Sequence, residues 1–375
     1  MRVTGASAVR FSSASAARRG PTGQRAKPLV HSAFLFLLIF LMAPRPVKAA
    51  EPPAPRSAAP GMSLEGGRRL EFVRSFSSEQ DLKDKRSWWN RAVDFVIGKP
   101  EIHSMTRPYA IATDSQGRII VTDPAAHAVH IFDFAKQKYR RLEGGKEDFQ
   151  SPVGVAVDDH NNIYVSDSEL GKIFVFDEKG KFRRYIGNIK GEGYFKRPTG
   201  LAIDASAKRL YVTDTLKDAI YTLDLEGNIL GHFGKRGEGD GEFNYPTEIA
   251  ARGDELMVVD AMNFRVQILD RSGVFRAKFG RPGDVTGYLF RTKGMAFDSE
   301  GDFYLADAYM DCVQVFNRDG VLLYFFGQPG SGAMQFDLPT GVNIDRNNMV
   351  YVVDSSNRRV QVFRYTAAPH SGGTK

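Results

Sequence analysis

Six aspartates recur at one position of a repeating pattern: Asp123, Asp167, Asp214, Asp260, Asp307 and Asp354. Each ends a run such as Ile119-Ile-Val-Thr-Asp123 or Val350-Tyr-Val-Val-Asp354. A carboxylate leaving a strand can cap the following turn by accepting backbone N–H groups. Six of them on a ring could instead face a ligand. Arg265 and Arg359 follow two of the six at a fixed offset and can pair with them.

Other chemistry-bearing groups are scattered. Gly237-Glu-Gly-Asp-Gly241 follows a strand but opens no helix and has no Lys-Ser/Thr, so it does not read as a phosphate-binding loop. It reads as a mobile loop between repeats. Asp158-Asp-His-Asn-Asn162 and Asp345-Arg-Asn-Asn348 could hold calcium, but both lack the ligand alternation and distal Glu of an EF-hand. They read as hairpin turns. Beyond residue 49 the histidines are 103, 127, 130, 160, 232 and 370, in different repeat slots and without i,i+4 metal spacing, so they read as surface-loop residues. Cys312 is the single cysteine, either a small buried residue or a free thiol, and no intrachain disulfide can form. No Ser-His-Asp arrangement stands out. The sequence assigns no catalytic residue, no cofactor and no metal ligand.

The element that positions these groups is a repeat. A Pro slot falls at 108, 152, 198, 246, 292 (here Thr) and 339, a spacing of 44 to 48 residues. Each unit holds four short runs rich in Val, Ile, Tyr and Phe, with Gly or Asn at the hairpins. A period in this range with several strands per unit predicts an all-β fold, a six-bladed β-propeller of four-stranded antiparallel blades. Blade six lacks its own outer strand. Leu70-Glu-Phe-Val-Arg-Ser-Phe76 is a lone strand resembling the outer strands, and the reading is that it pairs with blade six to close the ring. Arg140-Arg141, Arg183-Arg184 and Arg276/Lys278 on outer strands discourage further strand pairing there, whereas Val321–Phe326 is an uncharged edge.

The blades resemble NHL repeats, in which a Gly-rich loop, Phe and Pro-x-Gly precede two strands, with Asp, then Asn and Arg, after the second. Gly237-Glu-Gly-Asp-Gly-Glu-Phe243-Asn-Tyr-Pro246 carries the opening, and Asp354-Ser-Ser-Asn357-Arg-Arg359-Val360 the close. The resemblance covers about residues 105 to 364 and implies the fold far more narrowly than the function. NHL propellers include ubiquitin ligases, RNA-binding regulators, amidating lyases with a His-based metal site, and bacterial exported proteins. One cysteine cannot build a RING.

Residues 1–49 read as a signal peptide: eight basic residues, no acidic one, an apolar run Ala33–Ala43, and Val47-Lys48-Ala49 at a cleavage site. An uncleaved leader would be the one route to a membrane. The leader holds eight of the 51 basic residues and none of the 44 acidic ones, so the remainder is −1 rather than the +7 of the whole chain. That argues against nucleic-acid binding. The expected organisation is a linker at 50–68, the propeller at 69–365 with a helical insertion near 78–106, and a disordered tail at 366–375. The insertion packs on the propeller, or presents Trp88 or Trp89 to a partner.

The longer loops lie on one face, which is where scaffolds place ligands. The leading expectation is an exported, periplasmic or extracellular, binding scaffold without catalysis. Its protein, peptide or small ligand would contact Arg107, Arg197, Arg291, Asn263 and Asn357 near the channel mouth. The alternative is an exported lyase or hydrolase with a metal in the channel.

Overall fold

A computed structural model describes residues 60–83, 102–145, 147–189 and 192–367. Six sheets follow one another. Blade one runs from the inner strand a, Ile111–Thr113, through b (Ile119–Asp123) and c (Ala128–Asp133) to the outer strand d, Lys138–Leu142. Blade two uses Pro152–Val157, Ile163–Asp167, Lys172–Phe176 and Phe182–Ile186. Blade three uses Pro198–Asp204, Arg209–Asp214, Ala219–Asp224 and Ile229–Phe233. Blade four uses Pro246–Arg252, Glu255–Asp260, Arg265–Asp270 and Phe275–Phe279. Blade five uses Thr292–Phe297, Phe303–Asp307, Cys312–Phe316 and Leu322–Phe326. Blade six has Pro339–Ile344, Met349–Asp354 and Arg359–Thr366, and its fourth strand is Arg69–Phe76, antiparallel to Arg359–Thr366.

Both faces of strands b and c are apolar because each blade is covered by a neighbour on either side. The core is therefore six clusters, each shared by two adjacent blades. Ile120, Phe149, Val165 and Phe174 join blades one and two. Phe76, Val121, Phe132, Val353 and Val360 join blades six and one. The loop Phe of the repeat (Phe149, Phe195, Phe243 and Phe336) is buried as a wedge between blades, with Leu289 doing the same in blade five. Burial of one such ring is worth about 1.5–3 kcal/mol.

The inner strands crowd together around the axis. In blades two, three, five and six the slot after Pro-x is glycine: Gly154, Gly200, Gly294 and Gly341. A Cβ on Gly154 would overlap the Thr199 carbonyl oxygen of the next blade and sit 2.6 Å from Ser166 Oγ. That same carbonyl accepts the Ser166 hydroxyl at 2.6 Å, a hydrogen bond between blades. Gly154→Ala is expected to destabilise by about 2–3 kcal/mol through overpacking. A thermal melt within 1 °C of the parent would contradict that close approach.

The structure corrects the linker boundary. Gly61–Ser63 is a strand pairing with Arg69–Glu71, and the turn between them passes through Gly66 and Gly67, both at positive φ (71° and 80°). Three residues with no apolar alternation carry no strand signal, but two glycines permit the tight reversal. In the insertion, the described part holds a short 3-10 turn, Glu79–Leu82, capped by reciprocal Ser78 and Asp81 bonds. Ser78 then bridges to Ser104. The expected helix through Trp88 and Trp89, the leader and the tail beyond 367 lie outside the described residues.

Candidate site at the loop-rich channel mouth

The six aspartates are all buried, and they organise the mouth. Asp167 accepts the N–H groups of Gln150 and Ser151 from the loop before strand a, and of Glu169 and Leu170 from the turn after strand b. Asp123 does the same for Thr106, Arg107 and Ala126. Burial works against ionisation of Asp123, but the adjacent His130 ring and backbone hydrogen bonds from Thr106 and Arg107 outweigh it and hold the carboxyl below its ordinary value.

In blades four and six the stitching extends to side chains. Arg265 Nε donates to Asp260 Oδ2 at 2.8 Å, and its other nitrogens donate to the Glu238, Gly239 and Glu242 carbonyls. Arg359 repeats this with Asp354, Ser331, Gly332 and Gln335. The Gly-rich loop at 237–241, expected to be mobile, is therefore tied down by a guanidinium. Gln267 and Gln361 also reach the aspartate, each at 3.2 Å. His130 occupies this Gln slot in blade one, its Nε2 lying 3.4 Å from Asp123 Oδ2 and its Nδ1 2.8 Å from the Tyr139 hydroxyl. It is a buried core residue, contrary to the surface-loop expectation, because ring and amide can both satisfy the same carboxylate. Cys312 takes the Arg slot in blade five. Burial pushes its thiol up to about 12, which leaves no thiolate near neutral pH.

The anticipated binding residues divide into two sets. Asn263 Nδ2 donates to the Gly237 carbonyl and to Asp260, both at 2.8 Å. Asn357 Nδ2 donates to the Gly330 carbonyl at 2.9 Å and to the Asp354 carboxylate. Both amides thus face inward and hold loops. Arg107, Arg197 and Arg291 precede the Pro slot in alternate blades one, three and five, and all three are exposed. Among the described residues none of the three side chains has a carboxylate within ion-pair distance. Lys293 lies close by: burial first, then the Arg291 and Arg197 charges, push its pKa down.

Beside the arginines is a cluster that the repeat pattern did not flag. The Phe290 ring lies 4.4 Å from Tyr309 and 5.9 Å from Phe264, centroid to centroid. Phe290, Tyr309, Met262 and Tyr245 are exposed. Phe264 and Tyr245 also have positive φ (54° and 57°), a conformation that bulky side chains seldom adopt. The one signal in the sequence is that Phe264 fills a turn position held by Gly171, Asp218 and Asp311 in other blades.

Acidic groups gather at two turns. Asp158, Asp159 and His160 converge, but Asp158 Oδ1 already accepts the N–H groups of His160 and Asn162. Asp298, Glu300 and Asp302 converge below blade five, with Arg68 Nη1 3.7 Å from Asp302 and 3.9 Å from Glu300. Burial and the neighbouring Asp298 push Asp302 up to about 6. The channel itself, about 300 Å³, is lined by the six inner strands and includes one carboxylate, Glu248, and no histidine. That donor set is too small for the three protein ligands of a catalytic zinc site.

A family model described as a 6-bladed beta-propeller matches residues 146–232. NHL repeat-containing protein 2 of Bos taurus is 27% identical over 166 residues, 36% of this chain and 23% of that protein. This chain folds as a six-bladed β-propeller and is similar to NHL repeat-containing proteins. It spans under a quarter of that relative's length. Among solved structures, a streptogramin B lyase superposes with a TM-score of 0.53 at 14% identity, covering 70% of this chain and 94% of the lyase. An auxiliary nutrient binding protein of Bacteroides ovatus superposes with a TM-score of 0.56 at 15% identity, covering 70% of each. At these identities the likeness is one of fold. The propeller therefore stands among both lyases and binding proteins, and its own mouth carries the functional argument. No helix among the described residues is long and apolar enough to cross a membrane.

Proposed function

We propose that this propeller is an exported, non-catalytic binding scaffold whose loop-rich face docks a protein or peptide. The observation that carries the reading is the pairing of exposed Arg107, Arg197 and Arg291, which have no carboxylate partner among the described residues, with exposed Phe290 and Tyr309 and half-buried Phe264. Arg and aromatic side chains dominate interaction hot spots because they bury large area and bond at their tips. Free cations beside them select an acidic partner and speed its encounter. Export rests on the basic and apolar pattern of residues 1–49. A lyase reading would need ligands that the channel lining lacks.

The test is quantitative capture from an envelope extract. The double variant Arg197→Glu/Arg291→Glu should lower capture of the same partner at least about tenfold, as should Phe290→Ala/Tyr309→Ala. Arg183→Glu, on the outer strand of blade two, should leave it unchanged. Equal loss with all three variants, or with none, would remove the face assignment.

A further inference from the structure

On the side of the short turns, away from the loop-rich mouth, blades one and two border a crevice of about 550 Å³. That volume is within the range of small-molecule pockets. Ile131 supplies part of the wall, and five basic side chains line it against two acidic ones. Both acids are paired. Asp133 Oδ2 lies 3.7 Å from Lys136 Nζ, and Glu178 Oε1 lies 3.8 Å from Lys179 Nζ. Arg118, Lys138 and Arg140 remain. Among the described residues the Lys138 and Arg140 side chains have neither a carboxylate within ion-pair distance nor a hydrogen-bond acceptor.

Arg118 precedes strand b of blade one, where blade two has Asn162. Only 11% of its side chain is exposed, and its Nε pairs with Asp114. Its Nη1 donates to the Glu178 carbonyl at 2.7 Å. Its Nη2 is buried without a partner. A buried donor left in that state is costly, and an acceptor entering the crevice would relieve it. Between blades two and three the matching carbonyl, that of Leu225, accepts Arg184 from the outer strand. Arg140 is the counterpart of Arg184. Each stands two residues before a side chain, Leu142 or Ile186, that lies beside the glycine of the neighbouring turn, Gly180 or Gly227. In blade one Arg118 has taken the carbonyl, so Arg140 has no such bond. Both guanidiniums still meet the same turn: a Cβ on Gly180 would lie 3.5 Å from Arg140 Nε.

We propose that this crevice binds a phosphate monoester group. With Asp114 included, five cations stand against three carboxylates, and the surplus of two positive charges matches a dianion. The phosphate oxygens accept from the Arg140 fork, the Lys138 ammonium and Arg118 Nη2. Guanidinium forks suit phosphate because they bond two oxygens at once. The rest of the ester fills the remaining volume against Ile131. The chemistry is the same for a soluble ester and for a lipid headgroup, and the experiment separates them.

Titration calorimetry on the full chain uses glycerol 3-phosphate and glucose 6-phosphate, with succinate as a dicarboxylate control. A flotation arm uses phosphatidylcholine vesicles containing phosphatidic acid, a monoester, or phosphatidylglycerol, a diester. A soluble ester should bind with sub-millimolar affinity, at least about tenfold tighter than succinate. Flotation with phosphatidic acid that Arg140→Gln abolishes, without soluble binding, would instead place the same phosphate on a lipid. Arg140→Gln and Lys138→Gln change exposed side chains and should each weaken binding at least about tenfold in a chain with normal melting. Arg118→Lys keeps the charge but removes Nη2 and should do the same. Arg183→Gln, on the outer strand of blade two, should change nothing. No heat from either ester at 10 mM (roughly the weakest binding of interest), together with no selective flotation, overturns the proposal. So does succinate or phosphatidylglycerol performing as well as the monoester, or binding unaltered by Arg140→Gln. The loop-face reading is tested by partner capture, so the two fail separately.

Discussion

Removal of residues 60–76 is expected to lower the melting temperature by more than 10 °C and to broaden the transition. Arg69–Phe76 pairs along Arg359–Thr366, and its side chains enter two different clusters. Leu70 is buried with Phe336 and Phe363 between blades five and six. Phe76 is buried with Phe132 and Val360 between blades six and one, its ring 4.8 Å from Phe132. Deletion therefore strips apolar cover from both neighbours of blade six and leaves Arg359–Thr366 as an unpaired edge. Point variants scale the effect. Leu70→Ala is expected to cost about 2–5 kcal/mol and Phe76→Ala about 3–5 kcal/mol. Because the two share no cluster, the double variant should be nearly additive. Urea denaturation with the intact chain as reference measures all three. A truncated chain melting within 2 °C of the parent would mean that this strand does not hold the ring together.

The second large effect concerns the buried aspartates, which should not be equivalent. Asp354 accepts from Asp337 N–H at 2.8 Å, Arg359 Nε at 2.7 Å, Asn357 and Gln361. Asp354→Ala leaves a mostly buried guanidinium and several donors without their acceptor. Breaking such a pair from one side costs about 3–5 kcal/mol. Asp307, at the same repeat position, accepts only backbone N–H groups: Phe290 at 3.4 Å, Tyr309 at 3.0 Å and Met310 at 3.3 Å. The Arg slot beside it holds Cys312, so no cation is stranded by Asp307→Ala, and a loss of about 1–3 kcal/mol is expected. Equal destabilisation of the two variants in chemical denaturation would show that the Arg–Asp stitch adds nothing beyond the backbone bonds.

The repeat made some features legible and hid others. The partner of Arg69–Phe76 was legible because the last repeat lacks the outer strand that the others have, and the period and the six aspartates follow from patterns within about 50 residues. Strand alternation and turn chemistry act over that range. The capping role of the aspartates could be read because donor and acceptor lie within one repeat, 16 or 17 residues apart for Ser151 and Gln150 with Asp167. His130 was misread for the complementary reason. A histidine looks unlike glutamine in sequence, yet the slot requires only a polar group able to meet a buried carboxylate.

The sequence by itself determined the architecture of this protein: six copies of one unit, with the fourth strand of the last blade supplied from upstream. Tertiary structure alone decided which side chains share a site. Asn263 and Asn357 turn inward to hold the Gly-rich loops, whereas Arg107, Arg197 and Arg291 have no carboxylate partner among the described residues. Glu248 becomes the single carboxylate of the channel lining only because six inner strands, drawn from residues 110 to 344, converge there. The physical reason is that a blade's internal bonds are fixed by short-range spacing. A channel wall exists only when strands more than 200 residues apart meet around the axis of the closed ring.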